Sequence, residues 1–453
     1  MSGPSQQIHL AVFIHGMWGY PAHLNEAKRI MTEAHVEPSK DNKDGVQVRI
    51  LVSDANAQEN TYDGIDWGGE RVAQEILDEV EKIADEGGKV TRISVMGYSL
   101  GGLIARYVIG ILHQKGFFET VQPVNFTTFA SPNLGLLHYP TLFSRLAHKF
   151  GPYLLSRTGE QFYAVDKWSK RGRPLVEVMA DPERVFYQAL ALFPHIQFYA
   201  NAMNDLTVPF CTAAVELHDP FMNHKKTGID VVFQEGYEPI VKSWSIPAEP
   251  PAPAPKPKLF SKAWVKRFNN SLPIPPRLQF GFPGNIIMAL LLPILIPSFI
   301  GFAIARLALS AKWSRARLRL LEKTDAPRLL SIVAELEREI EGFVNDATEI
   351  ANQPSTPPTP SGTSDYPHPG PTDTEAHILV NDQGKLPGAP DFSPAQLRAH
   401  KHLNALPQLK KELVWIPEIR NTHAAVVARD VKNFPFHKIG QGVLRHWADS
   451  FIV

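Results

Sequence analysis

The chain is 453 residues long and carries 46 basic and 46 acidic residues. That balance leaves no global field with which to gather nucleic acid. A single cysteine, Cys211, excludes an internal disulfide framework and a metal site built from thiolates, and fits a reducing compartment.

Residues 1–7 are polar and the apolar run Leu10 to Ile14 is short, so no secretory leader is expected. The first third then alternates strands with helices. His9 to His15 (HLAVFIH) and Val46 to Ser53 (VQVRILVS) are apolar, β-branched runs. Glu70 to Glu86 has helical period, with Val72, Ile76, Leu77, Val80 and Ile83 on one side. Arg92 to Met96 predicts another strand, Gly101 to Gln114 a helix, and Phe126 to Ala130 a buried strand. Such alternation predicts an α/β fold, a mostly parallel sheet with helices on both faces. Leu134 to Phe193 is looser, rich in leucine and aromatics; within it Leu134 to Leu155 is either a lid or acyl-chain wall, or ordinary core. Ile196 to Ala200 and Leu413 to Ile416 predict further strands, and Val443 to Phe451 a closing helix. The 39 prolines are unevenly spread, with nine between 247 and 276 and seven between 354 and 371, which marks two linkers. No internal repeat is present.

Gly97-Tyr98-Ser99-Leu100-Gly101 is a G-x-S-x-G pentapeptide between a strand (RISVM) and a helix (GLIARYVIGIL). The glycines permit a tight reversal, which holds the Ser99 hydroxyl at a helix N-terminus where developing negative charge is favoured. His15-Gly16-Met17-Trp18-Gly19 follows the first strand, where a loop aims a backbone N–H at an oxyanion; the two donors expected are the amides of Met17 and Leu100. A serine needs a base and the base an orienting carboxylate, in the chain order Ser, acid, His. Asp205 is the expected acid, since it follows the strand IQFYA in a loop, whereas Asp166, Asp181, Asp219 and Asp230 lack such a strand. Among the histidines after it, His423 sits beyond the strand LVWI beside small alanines and is the expected base. His437 and His446 lie among hydrophobic residues and read as packing.

These segments carry a resemblance: VFIHGMWGYPAHL, TYDGIDWGGERVAQEI, SVMGYSLGGLIARYVIG, TFASPNLG, NDLTVPF and RNTHAAVVAR. The sequence resembles the putative serine esterases, lipase-like α/β-hydrolases, and among them the fungal lipid-droplet phospholipases. The resemblance covers most of 8–239 and 394–453. It implies Ser99 as nucleophile, Asp205 as acid and His423 as base, matching the choice made from the residues. It further implies ester hydrolysis of membrane or storage lipids without a cofactor. No metal and no nucleic-acid partner are expected. Substrate-binding residues and oligomeric state are not legible.

Leu278 to Ala305 has no charge in 28 residues, a composition that normally meets lipid. Asp205 precedes it and His423 follows it, so if both serve Ser99 an odd number of crossings is excluded. Six basic residues lie between 250 and 277 and five between 306 and 321, with no acid in either stretch, which argues for cytosolic ends on both sides. Pro293 and Pro297 suggest a reversal, a hairpin of two short arms suited to a monolayer over neutral lipid. Leu329 to Ile350 predicts an amphipathic helix. The expected organisation is therefore a hydrolase core at 1–245, a basic Pro-rich linker at 246–277, an anchor at 278–305, a helical segment at 306–352, a second linker at 353–373, and a return to the core at 374–453. The expected enzyme is a serine lipase or phospholipase on the cytosolic face of a lipid droplet or endoplasmic reticulum membrane. The competing readings are a neutral acylglycerol lipase and an inactive lipid-surface tether.

Overall fold

The computed structural model describes residues 6–36, 45–249, 258, 260–271, 284–323 and 388–453. The expected helix at 329–350 and the linker at 353–373 lie outside these residues. The strands are β1 (Gln6–Ile14), β2 (Gln47–Val52), β3 (Gly88–Tyr98), β4 (Gln122–Phe129), β5 (His195–Asn201), β6 (Asp230–Phe233), β7 (Val241–Ser245) and β8 (Leu409–Val414). Six of them form one sheet in the order β2-β1-β3-β4-β5-β8, every pair parallel. The α/β architecture predicted from the alternation is the one observed.

Period-two geometry explains why β1 is apolar throughout. Ile8, Leu10, Val12 and Ile14 face one core, while Ala11 and Phe13 face a second on the opposite side of the sheet. The first core receives α2 (Ile65–Asp85) and α3 (Leu100–Gln114), whose Val72, Ile76, Leu103 and Val108 are buried there. Each fully buried aliphatic side chain contributes about 1.5–3 kcal/mol of apolar burial. The second core receives α1 (Asn25–Met31) and the last helix of the chain, Gly440–Asp449, through Ile30, Met31, Val443 and Trp447.

Between β4 and β5 run α4 (Leu142–Leu154), α5 (Ser156–Phe162), α6 (Leu175–Val178) and α7 (Val185–Ala191); after β5 come α8 (Phe210–Ala213) and α9 (His224–Thr227). The candidate lid divides in two. Leu134 and Leu137 are core, whereas α4 turns Leu142, Phe143, Leu146, Phe150 and Tyr153 outward. β6 and β7 form an antiparallel hairpin that the sequence reading did not anticipate.

α10 (Lys262–Ser271) precedes α11 (Gly284–Lys323), which is one continuous helix of 40 residues. The reversal expected at Pro293 and Pro297 is not made. Proline removes one amide donor and crowds one carbonyl, but its fixed φ is helical, and a helix already propagated through Ile, Leu and Ala on both sides carries on past it. The expected boundary at 305/306 therefore falls inside a single element. Ser310, Ala311, Ser314 and Leu318 are buried along one face of its second half, which packs beside α4 and α5. Its first half exposes Ile287, Leu290, Ile294, Phe299 and Phe302.

The chain then returns through α12 (Pro394–Leu403), begun by a capping box between Ser393 and Gln396, to β8 and to α13 (Gly440–Asp449). β8 pairs with β5 from Ile196↔Leu409 to Asn201↔Val414, so segments before and after α11 share one sheet.

Candidate active site

The strand order reverses direction around β1 and β3, and the carboxyl ends of strands at such a switch point border the crevice where ligands sit in parallel sheets. The His15–Gly19 loop leaves β1 there, and the pentapeptide leaves β3. Ser99 adopts φ 56° and ψ −123°, a strained elbow between strand and helix. Its neighbours must be glycine: a Cβ on Gly97 would lie 2.4 Å from the Gly101 carbonyl oxygen, and one on Gly101 would lie 2.1 Å from that of Ile14. The elbow is tied down by the Ser99 amide donating to Phe129 O at 2.9 Å and by Ser131 Oγ donating to Ser99 O at 2.5 Å.

Asp205 and His423 arrive from loops after β5 and β8, adjacent strands. Asn204 and Thr422 stitch these loops together, with Thr422 N donating to Asn204 O at 3.0 Å and Thr422 Oγ1 to Met203 O at 2.9 Å. The result is a relay: His423 Nε2 lies 3.0 Å from Ser99 Oγ, and His423 Nδ1 lies 2.9 Å from Asp205 Oδ2. Asp205 is held by the amides of Thr207 and Val208, at 2.9 and 2.8 Å on Oδ1, and by Asn201 Nδ2 at 2.8 Å on Oδ2. Three donors besides the imidazole fix the orientation of the carboxylate. Tyr98, whose hydroxyl burial holds in the neutral form, donates to His423 O at 3.0 Å and sets its ring 5.2 Å from the imidazole.

Leu100 opens α3, where the first amides find no carbonyl within the helix. No backbone hydrogen bond engages the amide of Met17 among the described residues. Gly16 packs so tightly on the elbow that a Cβ there would meet Ser99 Cβ at 2.7 Å, which brings the two loops together. His15 is buried, and burial lowers its pKa below the usual histidine value. Trp18 and Leu206 are exposed beside the loop and the acid.

Every site residue singled out from the sequence is therefore placed, with His423 in contact with both Ser99 and Asp205. His437 and His446 lie elsewhere as packing residues, His446 Nδ1 being bonded to Tyr199 Oη at 2.8 Å. Asn201 and Tyr98 escaped the sequence reading. Asn201 stands four residues before the acid at a strand end, and Tyr98 lies within the pentapeptide itself.

Residues 4–216 match the family described as putative serine esterase (DUF676). That match covers a little under half of the chain. The chain is 30% identical over 246 residues to "Putative lipase C4A8.10" of Schizosaccharomyces pombe, covering 52% of this chain and 30% of that one. It is 28% identical over 215 residues to "Putative lipase ROG1" of Saccharomyces cerevisiae, covering 47% and 29%. The chain thus spans about a third of the length of these relatives. Among solved structures it is similar to the RedJ thioesterase of Streptomyces coelicolor, with TM-score 0.23, 14% identity, and 47% and 76% of the two chains covered. A second is the lin2722 gene product of Listeria innocua, with TM-score 0.25, 13% identity, and 45% and 76% covered. Likenesses this slight add nothing to what the strand order already establishes.

Proposed function

We propose that this protein is a serine esterase that hydrolyses acyl esters of phospholipids at a lipid surface through an acyl-serine intermediate. His423 takes the Ser99 proton as the hydroxyl attacks the ester carbonyl, and the tetrahedral oxyanion rests on the amides of Met17 and Leu100. The imidazolium protonates the leaving alcohol. Water, deprotonated by the same imidazole, then releases the fatty acid, and Asp205 holds the ring in the tautomer that both steps need. No cofactor enters these steps.

The observation that carries the lipid-surface reading is α11, whose first half leaves the body with large apolar side chains uncovered. By length and composition it could cross a membrane. From 284 to 305 it extends about 33 Å, more than the roughly 30 Å hydrocarbon core. Its second half is docked on the same body that carries β7 and β8, and the sequence between β7 and α11 is proline-rich and basic rather than apolar. A complete crossing would strand that basic segment beyond the bilayer with no apolar route back. The helix is therefore read as lying within one leaflet, or within the monolayer of a lipid droplet, with the body on the cytosolic side. The outward face of α4 adds Leu142, Phe143, Leu146, Phe150 and Tyr153 to the apolar surface, with Arg145 and Lys149 exposed among them for anionic headgroups.

A neutral acylglycerol lipase would use the same relay and the same surface. The test is turnover by the purified full chain on emulsified phospholipids and on mono-, di- and triacylglycerols, with Ser99→Ala as blank. We expect phospholipid acyl release that the blank lacks, a difference of at least ~10³-fold. Release from acylglycerols alone would favour the lipase. Failure of a fluorophosphonate probe to label wild type, under conditions where another serine hydrolase reacts, would leave a lipid-surface tether.

A further inference from the structure

The second half of α11 does more than attach to the body: it grips the segment that holds the oxyanion loop. Trp18 follows Met17 and has φ 55°, a left-handed conformation that a bulky side chain keeps only when its surroundings impose it. The imposing element is the short 3-10 turn Gln58–Tyr62. Its Gln58 amide donates to Gly19 O at 2.8 Å, Thr61 Oγ1 accepts from the Trp18 amide at 3.2 Å, and Tyr62 Oη accepts from Trp18 Nε1 at 2.8 Å.

From its other side the same turn is bound by α11. Tyr62, the last residue of the turn, is buried. The next residue, Asp63, is fully buried and receives Arg317 in a two-pronged pair, Nε to Oδ2 at 2.9 Å and Nη2 to Oδ1 at 2.6 Å. Ser314 Oγ donates to Asp63 Oδ1 at 2.7 Å, Arg71 completes the carboxylate's partners, and Arg317 Nη2 reaches Glu59 O at 3.1 Å. Among the described residues this turn is the shared support of both the oxyanion loop and the apolar helix.

We infer that Tyr62, Asp63 and Arg317 are positioning residues, through which the lipid-seated helix α11 holds the Met17 amide in the geometry that receives the oxyanion. The inference rests on the acyl-serine reading above. If α11 shifts, the Asp63–Arg317 pair and the Ser314–Asp63 bond are the contacts that transmit the shift through the turn to Trp18, and with it to the amide one residue earlier. The anchor is then part of the catalytic scaffold and not only a tether.

The test uses the full chain and a soluble short-chain ester, 4-nitrophenyl butyrate, so that lipid binding does not enter the rate. Tyr62→Phe removes one hydroxyl and keeps the ring; Arg317→Ala removes the helix's ion pair to Asp63 and leaves only the Ser314 hydroxyl of α11 on it. Both should lower kcat tenfold or more, leave KM within about twofold, and slow phosphonylation of Ser99 by a fluorophosphonate in parallel. A loss in KM alone would overturn the inference. Trp18→Phe combined with Tyr62→Phe should be no slower than the worse single variant, since both break one bond; independent, multiplying losses would equally overturn it. Wild-type kcat in Tyr62→Phe and in a folded Arg317→Ala, with Ser99 still labelled, would sink this inference and spare the acyl-serine reading. Absence of labelling in wild type would sink that reading instead.

Discussion

His423 is held by backbone and side chain alike, so the residues whose loss is most informative are those that orient it. Asp205→Asn keeps the shape of the carboxylate but reverses the hydrogen bond to Nδ1, leaving the ring in the tautomer that cannot accept the serine proton. A loss of about 10⁴-fold in kcat is expected, read on the soluble ester with the thermal midpoint as a check on folding. A different residue sets an acid limit on stability. His9 is fully buried, with Nε2 2.7 Å from Ser94 Oγ, and burial pushes its pKa down to about 3. In the unfolded chain the same imidazole protonates near pH 6.5. The folded state thus binds fewer protons, so the contribution of His9 is complete above 6.5 and is lost as pH falls toward 3, at up to about 1.4 kcal/mol per pH unit. Urea unfolding of wild type and His9→Leu from pH 7 to pH 4 should show the wild-type advantage shrinking as the solution is acidified. A constant difference would mean that His9 keeps its proton equilibrium unchanged on folding.

Among the elements, the strands of the large sheet were legible because burial on both faces makes each a run of apolar, β-branched residues, as in HLAVFIH and VQVRILVS. β6 and β7 were not, since DVVF and VKSWS are four and five residues long and only half covered. The relay was readable because chain order and strand ends restrict an acid and a base to few positions. Asp63 was not, because one carboxylate in TYDGID acquires its meaning only from Arg317, some 250 positions away. α11 was misread at its prolines, where a rule about helix breaking met a helix long enough to absorb them. α4 carries its own prediction. Under the proposed lipid-surface reading its outward apolar face meets lipid, so Phe143→Asp with Phe150→Asp should reduce partition of the full chain onto phosphatidylcholine-coated triolein emulsions several-fold. The thermal midpoint should not move, because neither ring is buried in the body. Unchanged partition would assign the surface contact to α11 alone.

At the scale of the whole molecule, the pairing of β5 with β8 constrains topology more firmly than any hydropathy profile. Both strands lie in one sheet, so the segments flanking α11 share a compartment. Glycosylation acceptors inserted after Glu249 and at Gly388 should both stay unmodified in microsomes, reporting a body wholly on the cytosolic side. Modification of one alone would show a crossing that the shared sheet forbids, and modification of both would place the body in the lumen. The two buried cores meet through the same sheet, so the relay, the oxyanion loop and the helix dock are all fixed to one rigid platform.

That sixth strand also sets an order of events during synthesis. The ribosome releases α11 before it has made β8 or the imidazole that follows it, with about ten seconds of elongation between them at ~5–20 residues per second. On the proposed lipid-surface reading, the greasy helix can therefore reach lipid while Ser99 still lacks its imidazole partner. On the proposed acyl-serine reading, hydrolytic competence comes only when the carboxyl-terminal strand docks, and a nascent chain released early is inert.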